Sequence, residues 1–335
     1  MIGAVVFEIL IMAQHMKKWI FLGAVFGLGA MMAWWLLPAS KIVKQDCSKE
    51  YPFISSDIDC QSIDEKANQV EGLHKAITQV VESEKGKHHI IRASVFYRDL
   101  NTRRWFGVND LDRFYPASLI KLPIAIMYYK VAELEPYILD NKLQIPADMG
   151  DNSDQHYPPA DPLLAGQTYS IREMIRHMLI YSDNAPFSTL YDGAKLFRGK
   201  ILSDLGIYDP PVGEEQEVWN VTARSYANIF RMLYNASYVN ITSANEILSL
   251  LSQSSFKNGI VAGLPGSVKV AHKFGEAEGT LADGTVQSRI LNDCGIVYKP
   301  DAPYILCIMA EGKEYAEIEQ VIQHISREAY DMVPE

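Results

Sequence analysis

The sequence predicts an α+β fold: a five-stranded antiparallel sheet flanked by the first and last helices, with an all-α lobe beside it. Three observations predict this. Strand-like segments stand at both ends of the globular part, two early and three late. A largely helical block, residues 118–256, separates them, with apolar residues at helical spacing. A helical segment also precedes the first strands, and another follows the last.

The elements follow in order. Lys17-Lys18 precede an uncharged, mostly apolar run, residues 19–37, closed by Pro38. Such a run can span a bilayer as one helix. Met16-Lys-Lys-Trp-Ile-Phe-Leu-Gly reads as an export signal, which makes Met16 a candidate initiator. Pro38-Ala39-Ser40 is a poor cleavage site, so residues 1–40 are expected to stay as a signal-anchor, with the domain exported to the periplasm or outer surface. Cleavage would instead secrete it. Residues 41–60 read as a linker and 61–335 as one globular domain. A Cys47–Cys60 disulfide would close a short loop and suit an exported chain.

A first helix is expected over residues 63–84, then strands over 89–98 and 103–109 joined by Asp99-Leu-Asn-Thr. Ser118 opens an apolar run containing Leu119, Ile120, Leu122, Ile124, Ile126 and Met127, read as a buried helix whose polar start is Ser118 and Lys121. Ser170 and Glu173 have capping-box spacing. Ile171, Met174, Ile175, Met178 and Leu179 form the apolar stripe behind them. Ser182-Asp-Asn ends that helix, and Ala185-Pro186 opens the next. Strands over 269–274, 290–298 and 302–309 and a helix over 316–330 close the chain. Cys294 and Cys307 fall in two of those strands, either as core thiols or as a pair.

Composition excludes some functions. The 335 residues are 48% hydrophobic and carry a net charge of −10, which leaves no electrostatic footprint for nucleic acid. Cysteine and histidine spacings suggest no zinc site, and no cofactor is expected.

Three motifs carry the chemistry: Ser118-Leu-Ile-Lys121, Ser182-Asp183-Asn184 and His272-Lys273-Phe274-Gly275. Each is weak alone, and a second Ser-x-x-Lys, Ser254-Ser-Phe-Lys257, has no assigned role. Their order and flanking elements give them weight. A lysine one turn into a buried helix is costly unless it is partnered or faces a cleft.

The set S-x-x-K, S-D-N and K-T-G belongs to class A β-lactamases and penicillin-binding proteins, and residues 61–335 resemble that superfamily. The resemblance implies an active site in the groove between the two lobes. It makes Ser118 the nucleophile and Lys121 its base. Ser182 becomes the proton relay, Asn184 the amide holder and Lys273 the cation for a substrate carboxylate. The backbone N–H groups of Ser118 and Glu276 would form the oxyanion hole, and Gly275 would let substrate lie along the strand. The acyl donor would be a β-lactam or a D-alanyl peptide of peptidoglycan.

The chain departs from the family at three points. Phe274 replaces a hydroxyl residue, removing one hydrogen bond to the substrate carboxylate. Glu276 adds an acid nearby, with Arg289 as a candidate compensating cation. The Glu-x-x-Leu-Asn pattern of class A deacylation is absent. Glu217, with Asn220 after it, is the nearest stand-in, although beside Glu214 and Glu215 it reads more simply as a solvated loop glutamate. The expected activity is class A-type opening of a β-lactam amide. Alternatives are a membrane-anchored D-Ala-D-Ala peptidase and a slowly deacylating penicillin binder or pseudo-enzyme.

Overall fold

The computed structural model describes residues 63–87, 90–148, 152–207, 220–281 and 283–333. The expected anchor, the linker, the Cys47–Cys60 pairing and Glu217 lie outside the described residues. Among the described residues no helix is long and apolar enough to cross a membrane.

Helix α1 (Ile63–Lys87) leads into β1 (Ile90–Asp99) and β2 (Trp105–Val108), an antiparallel hairpin with Val95 opposite Val108. Its turn closes because Asp99 Oδ1 accepts the N–H groups of Asn101 and Thr102, both at 2.8 Å. The late strands are β7 (Lys269–Thr280), β8 (Val286–Tyr298) and β9 (Tyr304–Gly312). All pair antiparallel in the order β2-β1-β9-β8-β7. All three outrun their expected bounds at one end, β7 and β8 the most, because Gly275, Gly279 and the interleaved glutamates of β7 hide its pattern, and β8 follows it in register. Cys294 and Cys307 stand opposite one another on β8 and β9 and are joined as a disulfide, which decides the alternative left by the sequence.

The sheet has two apolar faces. Against one, α1 lays Leu73, Ile77 and Val81, and the last helix α8 (Tyr315–Met332) lays Ile318, Val321, Ile322 and Ile325. Against the other packs the helical lobe, built on α2 (Lys121–Ala132), α3 (Ile171–Ile180), α4 (Ala185–Gly193), α5 (Arg198–Asp204), α6 (Ala223–Tyr234) and α7 (Ile241–Leu251). Each fully buried Ile or Leu contributes about 1.5–3 kcal/mol. Caps set the helix starts. Ser170 Oγ accepts Glu173 N–H at 3.1 Å, Thr222 Oγ1 accepts Ser225 N–H at 3.0 Å, and Asn240 Oδ1 accepts Ser243 N–H at 2.9 Å. Such caps contribute about 1 kcal/mol each.

Two features differ from expectation. Ser118 does not stand in the α-helix but on a 3-10 turn, Ala117–Ile120, ahead of α2. The reason is Pro123, which has no N–H and is tolerated only in a first turn, so α2 begins at Lys121. The helical lobe also holds two short ladders. β3 (Arg113–Phe114) pairs with β6 (Val221–Thr222), and β4 (Lys142–Gln144) with β5 (Thr168–Ser170). The second ladder closes the base of a long connection, residues 145–167.

Candidate active site

The Ser118 turn is fastened to the sheet at Gly275. A methyl group on Gly275 would come within 2.6 Å of Pro116 O and 2.9 Å of the backbone nitrogens of Ser118 and Leu119. Only glycine permits that approach. Two further bonds hold the turn: Tyr226 Oη donates to Leu119 O at 2.7 Å, and Asn292 Nδ2 donates to Tyr115 O at 3.0 Å. Ala117, next to Ser118, has φ +49°, a left-handed conformation that costs a non-glycine residue about 1–2 kcal/mol. Such strain persists only where surrounding contacts impose it.

Lys121 is buried at the start of α2. Its Nζ donates to the Ser182 carbonyl and, at 2.6 Å, to Asn184 Oδ1, and lies 3.4 Å from Ser182 Oγ. Burial pushes its pKa down to about 7, against the opposing pull of Asp183 and Glu276. Lys273 is fully buried on β7 and donates to Ser182 Oγ at 2.9 Å and to Phe274 O at 2.8 Å. Burial first, and the neighbouring Lys121 charge second, hold Lys273 well below the usual lysine range. The Ser182 hydroxyl therefore faces two lysine amines as acceptor, and its own proton is left for a third group.

Ser182 has φ +58° and follows α3 in the turn before α4. Asp183, the middle residue of that motif, is a buried clamp. Its carboxylate accepts Asn152 Nδ2 at 2.9 Å, Leu163 N–H at 2.7 Å and Ala185 N–H at 3.0 Å. Asn152 Oδ1 accepts Asn184 N–H at 2.9 Å, and Gln155 Nε2 donates to Ser182 O at 3.1 Å. The long connection thus grips the Ser182 turn.

Glu276 turns toward the same connection. Its two oxygens accept Tyr157 N–H at 2.9 Å and His156 N–H at 3.2 Å. Burial raises its pKa, while those N–H groups and nearby His156 and Lys121 hold it down. Phe274, two residues before Glu276 on the same face of β7, is buried, stacked on Phe256 at 4.1 Å and edge-on to Tyr157 at 5.8 Å. Arg289, the candidate compensating cation, does not reach Glu276. It reaches Glu278 at 3.1 Å and Glu314 at 3.3 Å, because it stands opposite Glu278 in the β7–β8 register.

The structure therefore brings Lys121, Ser182, Asn184 and Lys273 into one bonded cluster and sets Gly275 against the Ser118 turn, with Glu276 next along the strand. Sequence reasoning missed Asn152, Gln155, His156 and Tyr157. Only the length of their connection signalled them, since long unstructured connections inside a domain usually serve a site. Among the described residues no cluster of three or more His, Cys, Asp or Glu is placed to hold a metal ion. Cavities of 490 Å³ and 160 Å³ lie around α1 and the β1–β2 hairpin, and no member of the Ser118 cluster lines them.

A family model described as the Beta-lactamase enzyme family matches residues 72–333. The chain belongs to the beta-lactamase enzyme family. Its fold is that of the class A beta-lactamase and penicillin-binding protein superfamily, and membership makes it a hydrolase of the beta-lactamase type. Solved structures similar to this beta-lactamase family member include PBP-A, with TM-score 0.61, 19% identity, 78% of this chain covered and 95% of that one. A beta-lactamase from Chitinophaga pinensis DSM 2588 gives TM-score 0.64 at 19% identity, covering 78% and 98%. One from Xanthomonas campestris pv. campestris gives 0.65 at 17%, covering 78% and 98%. No curated protein matches the chain by sequence.

Proposed function

We propose that the protein is a class A-type serine hydrolase that opens a β-lactam amide through an acyl-enzyme on Ser118. The observation that carries this reading is the Ser182 hydroxyl set against two buried lysines, one of them brought to about 7. Lys121 in its neutral form takes the Ser118 proton as Oγ attacks the carbonyl carbon. The Oγ–C bond forms, and the oxyanion is met by the backbone N–H groups of Ser118 and Glu276. The C–N bond then breaks, and the nitrogen receives a proton from Ser182, which is replenished by the adjacent amines. Asn184 holds the substrate amide, and Lys273 supplies positive charge. Water hydrolyses the ester and frees Ser118.

A second reading, a D-Ala-D-Ala peptidase or a slowly deacylating penicillin binder, shares the acylation step. It is favoured by the missing Glu-x-x-Leu-Asn pattern and by the fold likeness to PBP-A, one of whose mutant structures is an acyl-enzyme complex with penicillin G. The N-terminal apolar run supports a place on the outer membrane face, where either substrate is met.

The test is a time course with a fluorescent penicillin, followed by intact mass. A label that appears and then vanishes as hydrolysed product accumulates supports the β-lactamase. A label that stays supports the second reading. No label on folded protein removes both.

A further inference from the structure

Residues 152–164 form a strap between the Ser182 turn, the edge strand β7 and α8. Both ends are held on Asp183, one by Asn152 and the other by Leu163. The middle is held by Tyr157, whose Oη donates to Glu319 on α8 at 2.6 Å, and by His156 stacked on Tyr315 at 4.4 Å. The backbone of these same two residues meets β7 through the Glu276 carboxylate, which takes one N–H on each oxygen.

We propose that Glu276 is a carboxylate latch that makes the strap a filter for the charge of the acyl donor: held from inside the protein by the N–H groups of His156 and Tyr157, it fixes a negative charge beside the strand edge that a donor bearing its own carboxylate must approach. This deepens the acyl-transfer reading above and rests on it.

Four observations converge. The latch lies at the residue after Gly275, where the strand meets the Ser118 turn. Its charge reaches both lysines of the site, opposing the loss of their protons. Phe274 is packed away in the aromatic cluster, so β7 offers no side-chain hydroxyl there to an incoming anion. Arg289, the candidate counter-charge, is engaged by Glu278 and Glu314. An incoming carboxylate bound for Lys273 thus meets a like charge fixed beside it on the strand, whereas a neutral donor meets no such repulsion.

The experiment compares second-order acylation rates of benzylpenicillin and its methyl ester on the full chain in mild detergent, for the wild type, Glu276→Ala and Glu276→Gln. The carboxylate-to-ester rate ratio should rise at least about ten-fold in both variants, as expected when a charged competitor is removed. A ratio that stays level or falls overturns the latch. If neither compound labels the wild type or either variant, the acyl-transfer reading fails, and amide hydrogen exchange decides the latch. His156 and Tyr157 should lose at least about ten-fold protection in Glu276→Ala. Retained protection overturns the latch.

Discussion

Two lysines bonded to one serine hydroxyl make a cluster that is hard to keep fully charged, and burial resolves this by releasing protons. Lys121, at about 7, is poised to accept a proton near neutral pH. Its neutral form is the working base, so acylation should rise with pH through about 7 and level off above. With one titration at that value, the rate at pH 5.5 should be roughly thirty-fold below that at pH 8.5. A flat profile over that range would remove Lys121 as the base. Ser118→Ala should abolish covalent labelling by penicillins, and labelling that survives would end the nucleophile assignment. Lys121→Ala should slow acylation by about 10²–10⁴-fold, the usual worth of a general base, as read by stopped labelling reactions. These residues were legible in the sequence because each motif is local. The clamp role of Asp183 and the direction of Glu276 were not, since their partners, Asn152, Leu163, His156 and Tyr157, come from a segment without periodicity.

Among the elements, the contact between the Ser118 turn and β7 is the most exacting. Gly275→Ala would drive a methyl into three backbone atoms, none of which can rotate aside. The turn must then lift from the strand. A displacement near 1 Å should cost about 10²-fold in acylation rate. Measured beside thermal melting, an unchanged rate would show that the turn and strand are free to separate. Helices were read well from sequence where a polar cap precedes an apolar stripe, as at Ser170. Starts governed by a proline in the first turn, as at Pro123, were misplaced by a few residues. The two-stranded ladders escaped notice because segments of two or three residues carry no countable period.

Across the whole molecule, strands early and late with helices between were enough to foresee one sheet, two terminal helices and a helical lobe. The strand order was not foreseen, because pairing is set by contacts remote in sequence. Stability rests on both faces of that sheet. Ile318→Ala, in α8, should cost about 2–5 kcal/mol, measured by denaturant midpoint. A loss below 1 kcal/mol would mean that α8 repacks freely. The last strand, β9, lies between β1 and β8. A nascent chain that has emerged only through β8 holds two hairpins with open edges, and no strand joins them. The sheet closes only once β9 has been made, which makes closure dependent on pairings distant in sequence. A polypeptide interrupted before Tyr304 would carry every motif of the site but lack the strand that joins its two hairpins into one sheet.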